Sequence, residues 1–252
     1  MVTPGGRLLA YKNSGEFPDL TREMLADGLN KWAEVKDDPA MTPTAAPADP
    51  RYATAPPAGG LTLGVRHRRL TRTSDGFAPG TPDKPGGQLA MRQTLWLTAD
   101  EVKGLLPPPR AGARANVPEV LRARLARFYA ADQTQGDGDP WPKQALGPLT
   151  MTVTTVGVSG GEQRVRFDGR FHLTHASVGT CDTRLRGEAT WDSDRGAFTR
   201  FELVLANDHR RADGREVFHA AAFGLPDPND LGDRLPPDGV KSPEAYWRNA
   251  GP

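Results

Sequence analysis

Cysteine is almost absent from this sequence, since Cys181 is the only one among 252 residues. A single thiol excludes an intrachain disulfide and any metal site built from several cysteines. Hydrophobic runs are also short, and none approaches the roughly 20 apolar residues that a membrane-spanning helix requires. The opening residues, MVTPGGRLLAYKNSG, lack the apolar core of a signal peptide. As written, the sequence predicts a soluble chain without an export signal.

An excess of charge of one sign is lacking too. The 32 lysines and arginines are balanced by 31 aspartates and glutamates, which leaves a net charge of +1. This balance argues against a general attraction to nucleic acid or to a membrane surface. Apolar residues make up only 37% of a chain that contains 28 glycines and 24 prolines. We therefore expect a modest core wrapped in long loops.

What the sequence does contain is a long alternation of apolar and polar residues between Leu149 and Phe223. Successive side chains of a strand point to opposite faces, so this period of two predicts half-buried strands with a charged outer face. The glycine-containing turns at 159–161 and 192–196 favour sequential antiparallel pairing. The predicted strands are 149–158, 163–174, 183–192, 197–206 and 216–223. The large residues in the inward phase are Phe167, Phe171, Leu185 and Trp191.

Two short helices are predicted before this sheet. Thr98 and Glu101 have capping-box spacing and open the first helix, which the prolines at 107–109 end. Asn116 and Glu119 repeat that spacing before a second helix. The apolar face of this second helix contains Val117, Leu121, Leu125 and Phe128, and its other face contains Arg122, Arg124 and Arg127. The predicted fold is α+β: an antiparallel β-meander, strongly curled, with one or two covering helices and long Pro/Gly-rich loops.

Composition divides the chain into three regions. Residues 1–36 predict a strand at Arg7–Lys12 and a helix with Thr21 as its N-cap. The apolar stripe of that helix is Met24, Leu25, Leu29 and Trp32. Residues 37–60 are dense in Pro, Ala, Asp and Thr and predict a linker. Residues 61–252 predict the β-rich main domain, with a first strand at 61–69, a Gly/Pro loop at 74–88 and an extended tail after Phe223.

Signatures of catalysis are weak. A metal-dependent or hydrolytic enzyme would use the histidines near 172–219, and the candidate metal ligands are His172, His175 and His209. His172 and His175 are three positions apart, so a continuing strand would place them on opposite faces, and no HxH or HExxH pattern occurs. Cys181 lies near His175 in sequence, but a small residue in a turn is the better interpretation. We therefore expect no catalytic residue and no cofactor.

Arginines on one predicted sheet face are the clearest functional feature. They are Arg164, Arg166, Arg170, Arg184 and Arg186. Such a face suits an anionic polymer, a phosphoryl group or an acidic partner. The alternative is a solvated face on which Asp168 and Glu188 neutralise the arginines. Aromatic residues do not interleave with these arginines, which argues against binding of single-stranded nucleic acid.

Parts of the sequence resemble a known family. The opening TPGGRLLAYKNSGEFPDLTREMLADGLNKW resembles the closing strand and helix of a thioredoxin fold. The blocks DPRYATAPPAGGLTL, QTLWLTADEV and GAFTRFELVLANDH resemble the region after such a domain in a group of uncharacterised bacterial proteins. The resemblance implies that residues 1–36 end a thioredoxin-like domain. The CxxC motif on which thioredoxin chemistry depends is absent here, so no redox residue is carried over.

These observations favour a non-catalytic accessory or binding domain that works beside a thioredoxin-like unit. One alternative is the histidine-based enzyme, and the other is an anion-binding module that uses the arginine-lined face. The expected partner is a missing N-terminal domain or a second protein. If an export signal precedes Met1, the domain would lie in the cell envelope.

Overall fold

The structure is a computed structural model. It describes residues 9–10, 18–38, 55–81, 90–134, 138–227, 229, 233, 235–237 and 246–247. Its contacts separate the chain into two units. One comprises Met1–Ala53 with Pro82–Gly87, and the other comprises Thr54–Thr81 with Gln88–Pro252. The predicted division at residues 36 and 60 stays a prediction.

The second unit is mostly antiparallel β-sheet. Its described strands are β1 (Leu61–Thr73), β2 (Gly76–Pro79), β3 (Ala90–Leu97), β4 (Arg114–Asn116), β5 (Leu146–Ser159), β6 (Glu162–His175), β7 (Gly179–Asp192), β8 (Ala197–Arg211) and β9 (Glu216–Gly224). The helices of the described residues are α1 (Pro18–Val35) in the first unit, and α2 (Ala99–Gly104) and α3 (Glu119–Arg124) in the second. A π-helical turn, Leu125–Tyr129, continues α3, and a 3-10 turn spans Lys143–Ala145.

Strands β5 to β9 form a meander, as their alternation and short turns predict. The sheet order is β2-β1-β9-β8-β7-β6-β5-β4, with β3 paired to the first half of β1. At the β5–β6 turn, Gly160 and Gly161 have φ values of 58° and 82°, a left-handed conformation that glycine adopts without strain. Within the described strands the sheet does not close on itself, and the strong curl that we expected is not supported.

The core lies between the inner face of this sheet and the segment around α3. Phe167, Phe171 and Leu185 are fully buried, as their phase predicts, whereas Trp191 is half-buried beside a register shift at Thr190. The helical segment contributes Val117, Leu121, Leu125 and Phe128, all buried as predicted. A helix that lays one apolar stripe on a one-sided sheet is the expected packing of such elements.

Several local predictions are wrong. Helix α3 begins at Glu119 with Pro118 as its N-cap and no side-chain cap, because Asn116 is the last residue of β4. Helix α1 begins at Pro18, so Thr21 lies inside it. Strand β2 occupies part of the predicted loop at 74–88. The rest of that loop from 82 on, the proposed strand at 7–12 apart from Leu9 and Ala10, and most of the linker and tail lie outside the described residues.

Arg124 also differs from its predicted place on a solvent-facing side of the helix. Its side chain is 1% exposed and forms two charge-assisted hydrogen bonds to the Glu101 carboxylate, at 2.6 and 3.0 Å. Its guanidinium also lies 4.7 Å from the ring centroids of both Tyr246 and Trp247. Glu101 completes the predicted capping box with Thr98. One buried ion pair therefore joins α2, α3 and the segment around Tyr246.

The backbone edge of β3 that faces away from β1 is closed by side chains. The Trp96 N–H donates to the Tyr246 hydroxyl at 3.2 Å, and the Tyr129 hydroxyl donates to the Thr94 carbonyl at 2.7 Å. The single hydroxyl proton of Tyr129 is donated to the Thr94 carbonyl. Tyr246 is therefore the donor in the 3.1 Å hydrogen bond between the two hydroxyls. Arg124 donates to the Trp96 carbonyl. These bonds satisfy the edge at Thr94 and Trp96.

Helix α1 belongs to the first unit. Leu25 and Leu29 on its predicted apolar stripe are 46% and 58% exposed, and Trp32 is half-buried. No helix among the described residues is long and apolar enough to cross a lipid bilayer.

Candidate functional site

The five predicted arginines all lie on one face of β6 and β7, which we call the outer face. Arg164, Arg166, Arg170, Arg184 and Arg186 are each exposed, while the residues between them are buried or half-buried. The alternation of the two strands places them there, and the antiparallel register brings β6 and β7 residues into direct opposition. The outer face therefore carries two adjacent rows of cationic side chains.

These arginines differ in their partners. Arg166 lies 3.0 Å and Arg186 3.8 Å from the Asp168 carboxylate. Arg170 and Arg184 form no ion pair with any carboxylate among the described residues. They are direct neighbours in the β6–β7 register, an arrangement in which like charges repel. Arg164 also has no ion pair among the described residues, but it is opposite Thr190, so Arg170 and Arg184, the arginine pair, are the two unpaired arginines of the set that are direct neighbours.

The arginine pair borders a depression of about 510 Å³, which we call the outer-face groove. It runs across β7, β8 and β9 to β1 and β2. Its far end is apolar and contains Leu70, Phe77 and Phe218, with Ala206 between this end and the arginines. The groove therefore combines an apolar end and a cationic end within one unit of the chain.

Arg72 and two carboxylates complete the rim of the groove. The Arg72 guanidinium lies 4.6 Å from the Phe218 ring centroid and 3.6 Å from the Asp208 carboxylate. Asp182, opposite Asp208 in the register, is hydrogen-bonded to His172. Both carboxylates thus have other partners, and within the described part of the chain neither forms an ion pair with Arg170 or Arg184.

A chain of three polar side chains lies at the same end of β6 and β7. The Asp182 carboxylate is 2.8 Å from His172 Nδ1, and His172 Nε2 is 3.1 Å from the Thr174 hydroxyl. The carboxylate requires a proton on Nδ1, so in a neutral ring Nε2 accepts the Thr174 proton. An acid, a histidine and a hydroxyl in this order are the arrangement of nucleophilic catalysis.

The structure does not bring together the three histidines that the metal-dependent alternative would use. His172 is on the outer face, His209 is buried on the inner face, and His175 is hydrogen-bonded to Ser177 at 3.0 Å. Within the described ranges, no three His, Cys, Asp or Glu side chains converge as a metal site would require.

The other chemical candidates are engaged in the fold. Cys181 is fully buried, and burial raises the pKa of its thiol to about 12, so it is not a thiolate nucleophile. Asp168 lies between two arginines, and Asp192 accepts hydrogen bonds from two backbone amides of the β7–β8 turn. Trp96 and Trp141 are buried. Of these side chains, Cys181, Trp96 and Trp141 are buried, and the two carboxylates already have partners within the fold.

A second polar cluster is buried on the inner face, directly beneath the groove. Thr183, Asn207 and His219 are opposite one another on β7, β8 and β9. The Thr183 hydroxyl donates to Asn207 Oδ1 at 2.6 Å, and Asn207 Nδ2 lies 3.3 Å from His219 Nδ1. His67 and His209 are also buried there, and Asp132 is partly buried. We call these six residues the inner polar cluster.

Burial keeps the histidines of this cluster neutral near pH 7. Desolvation lowers the pKa of His219 to about 4, and that of His67 to about 4 although Gln93 partly opposes it. Desolvation also lowers the pKa of His209, whose Nε2 donates to the Val178 carbonyl at 3.2 Å. His219 Nε2 and His209 Nδ1 have no hydrogen-bond partner among the residues that the structure describes, as is rare for buried nitrogens.

Sequence reasoning placed the arginines but missed the groove and most of the inner polar cluster. The signal for the cluster was available, because Asn207 is in phase with Leu203 and Leu205, and His67 is in phase with Leu63 and Val65. A polar residue in the inward phase must find a partner in the core. The groove gave no such signal, since Phe77 comes from a strand that the sequence did not predict.

No protein-family model matches this chain, and comparison with curated proteins and with solved structures finds no match either.

Proposed function

We propose that this chain is a non-catalytic binding domain that holds an anionic ligand on the outer face of its sheet. The observation that carries the proposal is the arginine pair, Arg170 and Arg184. These two exposed arginines are opposite each other in the β6–β7 register at the edge of a groove, and no carboxylate of the described residues pairs with either. A bound anion would offset the repulsion between the two arginines and accept hydrogen bonds from both guanidinium groups.

Pyrophosphate is a suitable probe because it carries several charge-assisted acceptors. We expect isothermal titration calorimetry at low ionic strength to detect binding that weakens as salt is added. The variant R170Q/R184Q should lower the affinity by about tenfold or more, since hydrogen bonds to charged groups are the stronger kind.

The matched control is R200Q/R210Q, which removes the same charge from exposed positions of β8 that do not line the groove. It should bind pyrophosphate about as well as the wild type. Equal losses in the two variants would show general charge attraction and no site, and absence of binding by the wild type would refute the proposal.

A second candidate function, ester hydrolysis, is favoured by the hydrogen-bonded chain of Asp182, His172 and Thr174. In this reaction the Thr174 oxygen attacks the ester carbonyl while its proton passes to His172 Nε2. The same proton then leaves with the alcohol, and water cleaves the acyl-threonine to release the acid. Hydrolysis of p-nitrophenyl butyrate above background, lost in H172Q and T174V and kept in H175Q, would establish this function.

The sequence resemblance adds a proposed context. A thioredoxin-like unit beside this domain would make the domain an accessory module, and the partner would be that unit. This part of the proposal is supported by the quoted sequence blocks alone. Co-purification of the chain with a thioredoxin-like protein from the source cell would test it.

A further inference from the structure

The outer-face groove offers more than charge. Leu70 and Phe218 are opposite each other in the β1–β9 register, and the Phe77 and Phe218 rings are 5.6 Å apart. Phe77 is nevertheless 53% exposed. Large aromatic side chains are usually shielded from water, so a partly exposed aromatic pair in the same groove as Arg170 and Arg184 indicates a binding surface. The groove therefore presents complementary surfaces to a ligand that is itself half apolar.

The spacing of the two ends fits a single small molecule. Phe218 on β9 is two strand spacings, roughly 10 Å, from β7, where Asp182 is in the same row as Phe218 and Arg184 lies two residues further along. Four spacings, roughly 19 Å, separate Leu70 on β1 from Arg170 on β6. Ala206, opposite Arg184, is the small residue on the diagonal between the two ends, whereas Asp208 lies directly between Phe218 and Asp182. The volume of about 510 Å³ lies in the usual range of small-molecule sites.

The rim charges select against a larger anion. Asp182 and Asp208 stand beside the arginine pair, and their side chains are 75% and 53% exposed. A polyanion or an anionic membrane would bring negative charge against both carboxylates, which costs free energy. A compact headgroup needs to reach only Arg170 and Arg184, which are one row away from Asp182 and Asp208 in the register. One negative headgroup with an apolar tail fits this pattern of charge.

We infer that the outer-face groove binds a free single-chain amphipathic carboxylate of the fatty-acid type. The carboxylate contacts Arg170 and Arg184, and the chain crosses Ala206 to pack on Leu70, Phe77 and Phe218. This inference rests on the proposed anion-binding function and adds the class of ligand. Arg72, which stacks on Phe218 and pairs with Asp208, holds the apolar end in place.

The test compares four probes by isothermal titration calorimetry on the full chain, below their micelle concentrations. Decanoate has both parts of the ligand, acetate has only the headgroup, and decyl maltoside has only the tail. Pyrophosphate reports on the arginine pair itself. Decanoate should bind one per chain, about tenfold or more tighter than acetate and than decyl maltoside.

Two variants assign the binding to the groove. F77A/F218A should weaken decanoate about tenfold and leave pyrophosphate unchanged, whereas R170Q/R184Q should weaken both. The control V156A/V158A removes exposed apolar surface from the end of β5 and should change neither. Thermal unfolding of each variant confirms that it is folded.

The outcomes separate the two proposals. If pyrophosphate binds at the arginine pair but decanoate binds no tighter than acetate, the fatty-acid inference is wrong and anion binding stands. Equal binding of decyl maltoside and decanoate would also refute the inference. If none of the anions binds, both proposals fail.

Discussion

The two faces of strands β6 to β9 are built from alternate residues of one chain, yet their polar groups differ in kind. On the inner face, Thr183, Asn207 and His219 form a hydrogen-bonded row of neutral groups that water barely reaches. On the outer face, Arg170 and Arg184 are exposed and form no ion pair with the described carboxylates. A buried polar group must find a partner inside the protein, whereas an exposed one already has water. Charged groups that have no partner in the protein can therefore remain on the outer face at little cost in stability.

The largest expected difference between the faces is at the neighbours Phe171 and Arg170. Phe171→Ala should lower the free energy of unfolding by about 3–5 kcal/mol, because it removes a fully buried ring and leaves a cavity. Arg170→Ala on the opposite face should change it by less than about 0.5 kcal/mol. Urea unfolding of both variants measures the two values. Similar losses would show that the assigned faces are wrong.

A smaller difference is expected at Asn207 and Asp208. Asn207→Ala removes the partner of His219 Nδ1 and leaves the Thr183 hydroxyl with only the weak contact to Cys181 Sγ at 3.7 Å, so it should cost about 1–3 kcal/mol. Asp208→Ala breaks only an exposed ion pair of 3.6 Å with Arg72 and should cost about 0–1 kcal/mol. Chemical denaturation again compares them. A cost for Asp208→Ala equal to that of Asn207→Ala would contradict the distinction between the faces.

Acid should destabilise the fold through the inner histidines. The pKa of His67 and that of His219 are about 4 in the folded chain, whereas the ordinary value of 6.5 applies in the unfolded chain. Between pH 4 and pH 6.5 the unfolded chain therefore binds more protons than the folded chain. Stability is therefore full above pH 6.5 and falls as the pH drops towards 4, by up to roughly 1.4 kcal/mol per pH unit for each histidine.

The measurement is the dependence of unfolding free energy on pH between 7 and 4. The variant H67Q/H219Q should flatten the slope, whatever its absolute stability. The control H172Q/H175Q removes two histidines that are not in the core and should keep the wild-type slope. An unchanged slope in H67Q/H219Q would mean that other groups cause the acid sensitivity.

The smallest effect is expected for the ion pair of Arg166 and Asp168, whose side chains are 51% and 46% exposed. A double-mutant cycle to alanine should give a coupling energy of about 0–1 kcal/mol, and salt should reduce it. A coupling above this range would show that the outer face is a stabilising network. It would then be less suited to an exchangeable ligand.

The sequence predicted the meander because alternation on β5 to β9 is nearly continuous and the turns contain glycines at the required positions. Leu185 and Phe171 could be assigned to the core from phase alone. Strands β2, β3 and β4 were missed because they are short or flanked by proline and glycine. Their pairing depends on distant partners, such as Phe77 opposite Arg72, that local pattern does not show.

The candidate site was predictable only in part. The arginines follow from the phase of β6 and β7, but which of them lacks a partner depends on cross-strand register. Arg124 was assigned to the wrong environment. Its position on the helix predicts exposure to solvent, whereas Glu101 and Tyr246 enclose its side chain. A charged residue can be buried wherever distant residues compensate it, and such compensation is invisible to local periodicity.

The closed edge of β3 has a consequence for self-association. An exposed strand edge offers backbone groups to any other extended chain and so promotes intermolecular strand addition and aggregation. Here the hydroxyls of Tyr246 and Tyr129 and the Arg124 guanidinium occupy those groups at Thr94 and Trp96. Tyr129, Tyr246 and Arg124 therefore also disfavour cross-β contacts between copies of the chain at this edge.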